Sequence, residues 1–129
     1  MKQAPQILIV EDEILIAMDL EDMVAEMGGT AIASAHNIQT AIKLAETIEA
    51  DAAILDVDVA GQLVFPVADI LEARGIPFLF NTGHSAEDAL RARYVSAPIC
   101  RKPTLQRQLK QALQSLLVSP KNSGFGAPA

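Results

Sequence analysis

Gln6-Ile7-Leu8-Ile9-Val10-Glu11-Asp12-Glu13 is the stretch on which the fold turns. Its apolar run is too short for a helix and lacks the alternation of a strand with one wet face, so Gln6–Val10 is predicted to be a strand covered on both sides. The run stops at three consecutive acids, and helical spacing begins. From about Glu13 to Met27, Ile16, Leu20, Met23, Val24 and Met27 share one face and Asp19, Asp22 and Glu26 another, until Gly28-Gly29 ends the pattern. A covered strand followed at once by an amphipathic helix is the unit of a parallel α/β sheet.

The unit recurs downstream. Further strands are predicted at Thr30–Ala35, Ala52–Leu55, Ile76–Phe80 and Ala97–Cys100, Pro77 being tolerable near a strand start. Helices are predicted over about Ile38–Glu49, with Ala41, Leu44, Ala45 and Ile48 inward, and about Val67–Ala73, closed by Gly75. The last runs over about Thr104–Val118 with Leu105, Leu109, Leu113 and Leu116 inward. Val57–Pro66 reads as a loop containing Gly61, and the short polar pattern between Ser85 and Tyr94 predicts a degenerate fourth helix. Residues 5–118 then form one domain, and the Gly, Pro, Ser and Ala of residues 119–129 predict a disordered tail.

Composition narrows the function. Half of the 129 residues are apolar but only 4% are aromatic, and the net charge is −6, which disfavours binding nucleic acid through phosphate neutralisation or base stacking. The charge is uneven: residues 1–58 hold twelve acids and two bases, net −10, and residues 59–129 four acids and eight bases, net +4. A single cysteine, Cys100, excludes an internal disulfide. With no secretory leader pattern and no apolar run of the ~20 residues that span a bilayer, a soluble cytoplasmic protein without membrane association is expected.

In open parallel sheets ligands bind beyond the carboxyl ends of the strands. Those ends carry Glu11-Asp12-Glu13, Asp56, Thr82 and Lys102-Pro103. If the first and third strands are neighbours, Glu11, Asp12 and Asp56 converge. Three such carboxylates repel one another unless a cation compensates, and a hard divalent ion with oxygen ligands, Mg²⁺ above all, suits them.

Ile9-Val10-Glu11-Asp12-Glu13, Ile54-Leu55-Asp56, Thr82-Gly83 and Lys102-Pro103, in this order and on these strands, resemble the receiver domain of two-component response regulators, over about residues 5–118. The resemblance implies a flavodoxin-like, doubly wound (βα)5 fold with strand order 2-1-3-4-5. It implies that Asp56 is the phosphoacceptor, that Asp12 holds Mg²⁺ directly and Glu11 through water, and that the backbone carbonyl of Asp58 is a further ligand. Thr82 would hydrogen-bond a phosphoryl oxygen and Lys102 would ion-pair with it across a cis Lys102-Pro103 peptide. The implied donor is a histidine kinase or a histidine phosphotransfer protein, with output by contact with a downstream protein or by diversion of phosphoryl groups. Such a domain is no enzyme in its own right, catalysing only its own phosphorylation and dephosphorylation.

A narrower likeness lies in Phe65-Pro66-Val67-Ala68-Asp69, Arg74-Gly75-Ile76-Pro77-Phe78 and Phe80-Asn81-Thr82-Gly83, which resemble stand-alone alphaproteobacterial receivers with a Phe-Ala-Thr-Gly motif. Asn81 departs from that motif at its Ala. Ile99 stands where many receivers keep an aromatic switch residue and Thr104 where Phe usually follows Lys-Pro, so the segment Gly83–Tyr94 is expected to respond to phosphorylation instead.

Other readings compete. Asp58 is either a neighbour of the site or a solvated loop residue. His36 and His84 lack metal-site partners and read as strand-end or loop histidines, Cys100 as packing, and Leu15 with Met18 as either a docking face for the phosphodonor or a core edge. Leu55-Asp56-Val57-Asp58-Val59 also fits the Asp-x-Asp signature of haloacid-dehalogenase-like phosphohydrolases, although there it follows the first strand. A receiver-like module that binds a partner without being phosphorylated is the other alternative.

Overall fold

A computed structural model of the chain describes residues 4–83 and 87–117. Strand β1 (Gln6–Val10) leads to helix α1 (Ile14–Glu26), β2 (Thr30–Ala35) to α2 (Ile38–Thr47), and β3 (Ala52–Leu55) to a small hairpin of β4 (Asp58–Val59) and β5 (Gln62–Leu63). Then come α3 (Phe65–Ala73), β6 (Phe78–Thr82), α4 (Glu87–Arg93), β7 (Ile99–Arg101) and α5 (Gln106–Leu117). Five strands form one sheet in the order β2-β1-β3-β6-β7, every pairing parallel. Counted along the sheet's own strands this is 2-1-3-4-5, the doubly wound flavodoxin-like (βα)5 fold, with its switch point between β1 and β3.

Period-two alternation sends neighbouring strand residues to opposite faces. Leu8, Val10, Ala53, Leu55, Phe78 and Phe80 pack under α2, α3 and α4, against Ala41, Ala45, Val67, Leu71 and Leu90. Ile7, Ile9, Ala52, Ile54, Leu79 and Cys100 pack under α1 and α5, against Leu20, Val24, Leu109, Leu113 and Leu117. Both faces are therefore covered, which is why β1 and β3 read as unbroken apolar runs. Asn37 caps α2, its side chain accepting the Thr40 N–H at 2.8 Å.

Several boundaries differ from the sequence expectation. The strand expected at Ile76–Phe80 runs over Phe78–Thr82, because Pro77 offers no N–H to the ladder while Asn81 and Thr82 pair with Cys100 and Arg101. The strand expected at Ala97–Cys100 likewise begins after Pro98, at Ile99. Helix α3 starts two residues early, at Phe65, with Pro66 in its first turn, where a missing N–H costs nothing. Leu105 is 57% exposed rather than inward, since α5 begins only at Gln106, and Leu117 fills the buried position at its far end.

The segment Val57–Pro66, expected as a loop, contains the β4–β5 hairpin. Its two-residue loop, Ala60-Gly61, has both residues at positive φ, 53° and 84°, as a tight hairpin turn demands. The fourth helix is short, as expected, and held at both ends. Glu87 ion-pairs with Arg91 and with Arg101 of β7, and just past the helix the Tyr94 hydroxyl donates to Asp69 of α3 at 2.7 Å. His84 and the proposed tail, residues 119–129, lie outside the described residues.

Candidate functional site

The sheet delivers its polar residues by register. Val10 pairs with Leu55, and Leu55 with Phe80, so the next residues, Glu11, Asp56 and Asn81, stand level on three adjacent strands. The ladder extends to them: Glu11 N–H donates to the Ala35 carbonyl at 3.0 Å and Asp56 N–H to the Val10 carbonyl at 2.9 Å. Because Ile9, Ile54 and Leu79 face α1 and α5, alternation turns Glu11, Asp56 and Asn81 the same way.

Glu11, Asp12 and Asp56 come together as expected, each offering a carboxylate oxygen within 4.8 Å of the others. Glu11 is fully buried and Asp56 nearly so. Lys102 Nζ reaches in from beyond β7, 2.9 Å from Glu11 Oε1 and 3.1 Å from Asp56 Oδ2. Burial, reinforced by the charge of Asp56 and opposed by Lys102 and the Glu13 N–H, pushes the Glu11 carboxyl up to about 7. Burial works against the Lys102 ammonium, but its hydrogen bonds to Glu11 and Asp56 outweigh that, so its pKa is held above the ordinary lysine value. Among the described residues, Lys102 is the one cation that compensates the site, with a carboxylate excess around it.

That excess fits a hard divalent ion. Three clustered carboxylates, one of them fully buried, are oxygen donors of the kind that hard divalent ions take. An open pocket of about 410 Å³ adjoins them, bounded by Asp12, Asp56, Asp58, Gly83 and Lys102 among others, with room for a phosphoryl group and water.

Thr82 is buried at the end of β6, within the strand rather than beyond it, and its carbonyl accepts the Lys102 N–H at 2.9 Å. The Lys102-Pro103 peptide is cis. Asp58 lines the pocket, but its Oδ1 accepts the Gly61 N–H at 2.9 Å and so serves the hairpin turn. One of its two carboxylate oxygens is thus engaged by the turn while the residue still borders the pocket. His36 is exposed, and its Nδ1 is hydrogen-bonded to the Glu11 carbonyl at 2.9 Å, fixing the chain where the acidic run begins. Ile14, Leu15 and Met18, on the first turns of α1 beside the site, are 58%, 78% and 51% exposed.

One polar contact beside Asp56 was not expected. Thr104 Oγ1 donates to Asn81 Oδ1 at 2.7 Å. Asn81 stands out in the sequence only as a departure from the Phe-Ala-Thr-Gly motif and Thr104 only as a departure from the receiver pattern, and their separation gives no sign that they meet.

No family model matches the chain. Over 94 residues, 71% of its length, it is 36% identical to the transcriptional regulatory protein PdtaR of Mycobacterium tuberculosis, 46% of which it spans. SdrG from Sphingomonas melonis Fr1 is 42% identical, with a TM-score of 0.78 over 91% of this chain and 99% of that one. The response regulator PhyR from Brucella abortus is 28% identical, with a TM-score of 0.76 over 89% of this chain and 48% of that one. The chain spans about half the length of PdtaR and of that PhyR.

Proposed function

The chain belongs to the receiver domains of response regulators, and on that premise we propose that it accepts a phosphoryl group on Asp56 from a phosphohistidine donor in two-component signalling. The observation that carries this reading is the approach of the Lys102 ammonium to Asp56, 3.1 Å, inside a cluster of two further carboxylates. Phosphoryl transfer asks a protein for position and neutralised charge more than for covalent help. An Asp56 carboxylate oxygen attacks phosphorus, an O–P bond forms as the donor's N–P bond breaks, and the donor's imidazole leaves. Lys102 then turns its charge to the incoming phosphoryl oxygens, and Thr82 hydrogen-bonds one of them.

Glu11, Asp12, Asp56 and the Asp58 carbonyl would hold Mg²⁺, which when bound neutralises charge on the transferring group. The protein is then a phosphoacceptor that promotes its own phosphorylation and dephosphorylation rather than an enzyme acting on other substrates. The donor is a histidine kinase or histidine phosphotransfer protein, docked on the exposed Ile14, Leu15 and Met18 next to the site. A stand-alone receiver of the Phe-Ala-Thr-Gly type, acting in the cytoplasm through a protein contact or by diverting phosphoryl groups, is the finer reading. Its support is the likeness carried by Phe65–Asp69, Arg74–Phe78 and Phe80-Asn81-Thr82-Gly83. Among the described residues no helix is long and apolar enough to cross a membrane.

Incubation with Mg²⁺ and acetyl phosphate, followed by intact mass, tests the proposal. A single phosphoryl adduct that is absent in Asp56→Asn supports it. Turnover of alkyl or aryl phosphomonoesters, which do not phosphorylate a receiver, would indicate a phosphohydrolase, and no adduct with any phosphodonor a passive binding module.

A further inference from the structure

Asn81, which departs from the Phe-Ala-Thr-Gly motif, and Thr104, which stands where receivers usually have Phe, hold each other beside the proposed phosphoacceptor. Asn81 is fully buried, and while its Oδ1 accepts from Thr104, its Nδ2 is buried with no hydrogen-bond partner among the described residues. A buried donor left unpaired costs stability, and an alanine here would not carry that cost. Stability alone therefore does not account for the residue.

Its position does. Asn81 stands level with Asp56 on the next strand, on the side away from Glu11. On its other side β7 runs out into the segment that carries Lys102. That segment is tied to β6 at two points: the Lys102 N–H donates to the Thr82 carbonyl at 2.9 Å, and two residues later Thr104 donates to Asn81 at 2.7 Å. The Lys102 side chain leaves between the two ties, passes Gly83, and ends on Asp56 and Glu11. A lysine stem has four rotatable carbons, so holding its ammonium on two carboxylates at once requires that the backbone it starts from be fixed.

We infer that Asn81 is a positioning residue: by gripping Thr104 it fixes the Lys102–Thr104 segment and so holds the Lys102 ammonium in place against Asp56. Its value to phosphoryl transfer rests on the phosphoacceptor reading above.

The test reads Lys102 directly. The full chain and its Asn81→Ala, Thr104→Val and Thr104→Ser variants are treated with an amine-acetylating ester, and modification of Lys102 is followed by peptide mass against the exposed Lys43 and Lys110 as internal references. A loosened tether frees the amine from Glu11 and Asp56 and should raise Lys102 labelling severalfold in Asn81→Ala and Thr104→Val. Thr104→Ser keeps the hydroxyl and should label like the unmodified protein. Thr104→Val preserves shape at a half-buried position and decides the matter if Asn81→Ala does not fold. Lys102 labelling unchanged in Thr104→Val overturns the inference, as does labelling of Thr104→Ser as fast as that of Thr104→Val.

Phosphorylation by acetyl phosphate with Mg²⁺ is measured in parallel and should slow about tenfold in the two loosened variants. Should the unmodified protein accept no phosphoryl group while the labelling pattern holds, the phosphoacceptor reading falls and the positioning of Lys102 by Asn81 stands.

Discussion

On one face of the sheet, Tyr94 meets Phe65, Phe78 and Phe80, and Phe78 meets Phe80, with ring centroids 5.3 to 5.7 Å apart, while Arg93 stacks its guanidinium over Phe65 at 4.8 Å. On the other, α1 and α5 cover Ile7, Ile9, Ile54, Leu79 and Cys100, with no ring in the cluster, and that face runs on past the strand ends into Glu11, Asp56 and Asn81. The difference separates two tasks. Aromatic rings bury large areas and close the space between β6, α3 and α4. The aliphatic face ends early and leaves its last pleat to charged and polar groups, each of which is desolvated and therefore strongly coupled to its neighbours. Substitutions on the first face should change stability without changing the chemistry, and substitutions in the polar row should do the reverse.

The hardest blow to this division is Phe80→Ala. It should cost about 3 to 5 kcal/mol of stability through lost burial and the cavity left behind, read by urea unfolding, while the folded fraction accepts a phosphoryl group at the unmodified rate. A large fall in that rate would mean the faces are not independent. Lys102→Ala should do the converse, slowing acetyl phosphate-dependent adduct formation about a hundredfold, the usual cost of one aimed charge or donor at a transferring group.

Tyr94 sharpens the comparison from the aromatic side. Burial, with Asp69 adding to it, pushes its phenol up to about 12, from an ordinary value of 10.0. The folded state holds the phenol proton more tightly than the unfolded chain, so the associated stability is intact below pH 10 and is lost as pH rises through about 12. Tyr94 is the only tyrosine and there is no tryptophan, so phenolate absorbance reports this residue alone. Tyr94→Phe should remove that alkaline dependence and cost about 1 kcal/mol, because Asp69 is half exposed and regains water when the hydroxyl is gone. The smallest effect lies beyond Asp56, in the hairpin. Ala60 sits at φ 53°, and Ala60→Asn, better suited to that conformation, should raise stability by about 0.5 to 1 kcal/mol in thermal unfolding.

Much of the site could be read in advance because it lies where local pattern changes. Glu11, Asp12 and Asp56 follow apolar runs directly, and the end of a covered strand is set by where apolar residues stop. Lys102 was found through its Pro103 neighbour and its likeness to receivers. Strand ends near Pro77 and Pro98 were misplaced by one or two residues, since an apolar run shows that a segment is buried but not which N–H groups find a ladder partner. Leu105 fits the inward spacing of α5 but precedes its first turn, and spacing does not reveal where a helix starts. The carboxylate of Asp58 was left open between site and solvent. It borders the site and gives its Oδ1 to the turn, because Ala60-Gly61 folds back and presents the Gly61 N–H.

By itself the sequence determined what depends on neighbours along the chain: strand and helix periods, the covered character of the sheet, the degenerate fourth helix and the acidic run that opens the site. Only the tertiary structure decided what depends on neighbours across the sheet. It set Asn81 level with Asp56, brought Thr104 to Asn81, carried Tyr94 to Asp69 and placed the Lys102 ammonium between Glu11 and Asp56. Periodicity is a property of one strand or helix, whereas lateral contacts are fixed by the register between strands and by the packing of helices on them. No single segment encodes either one.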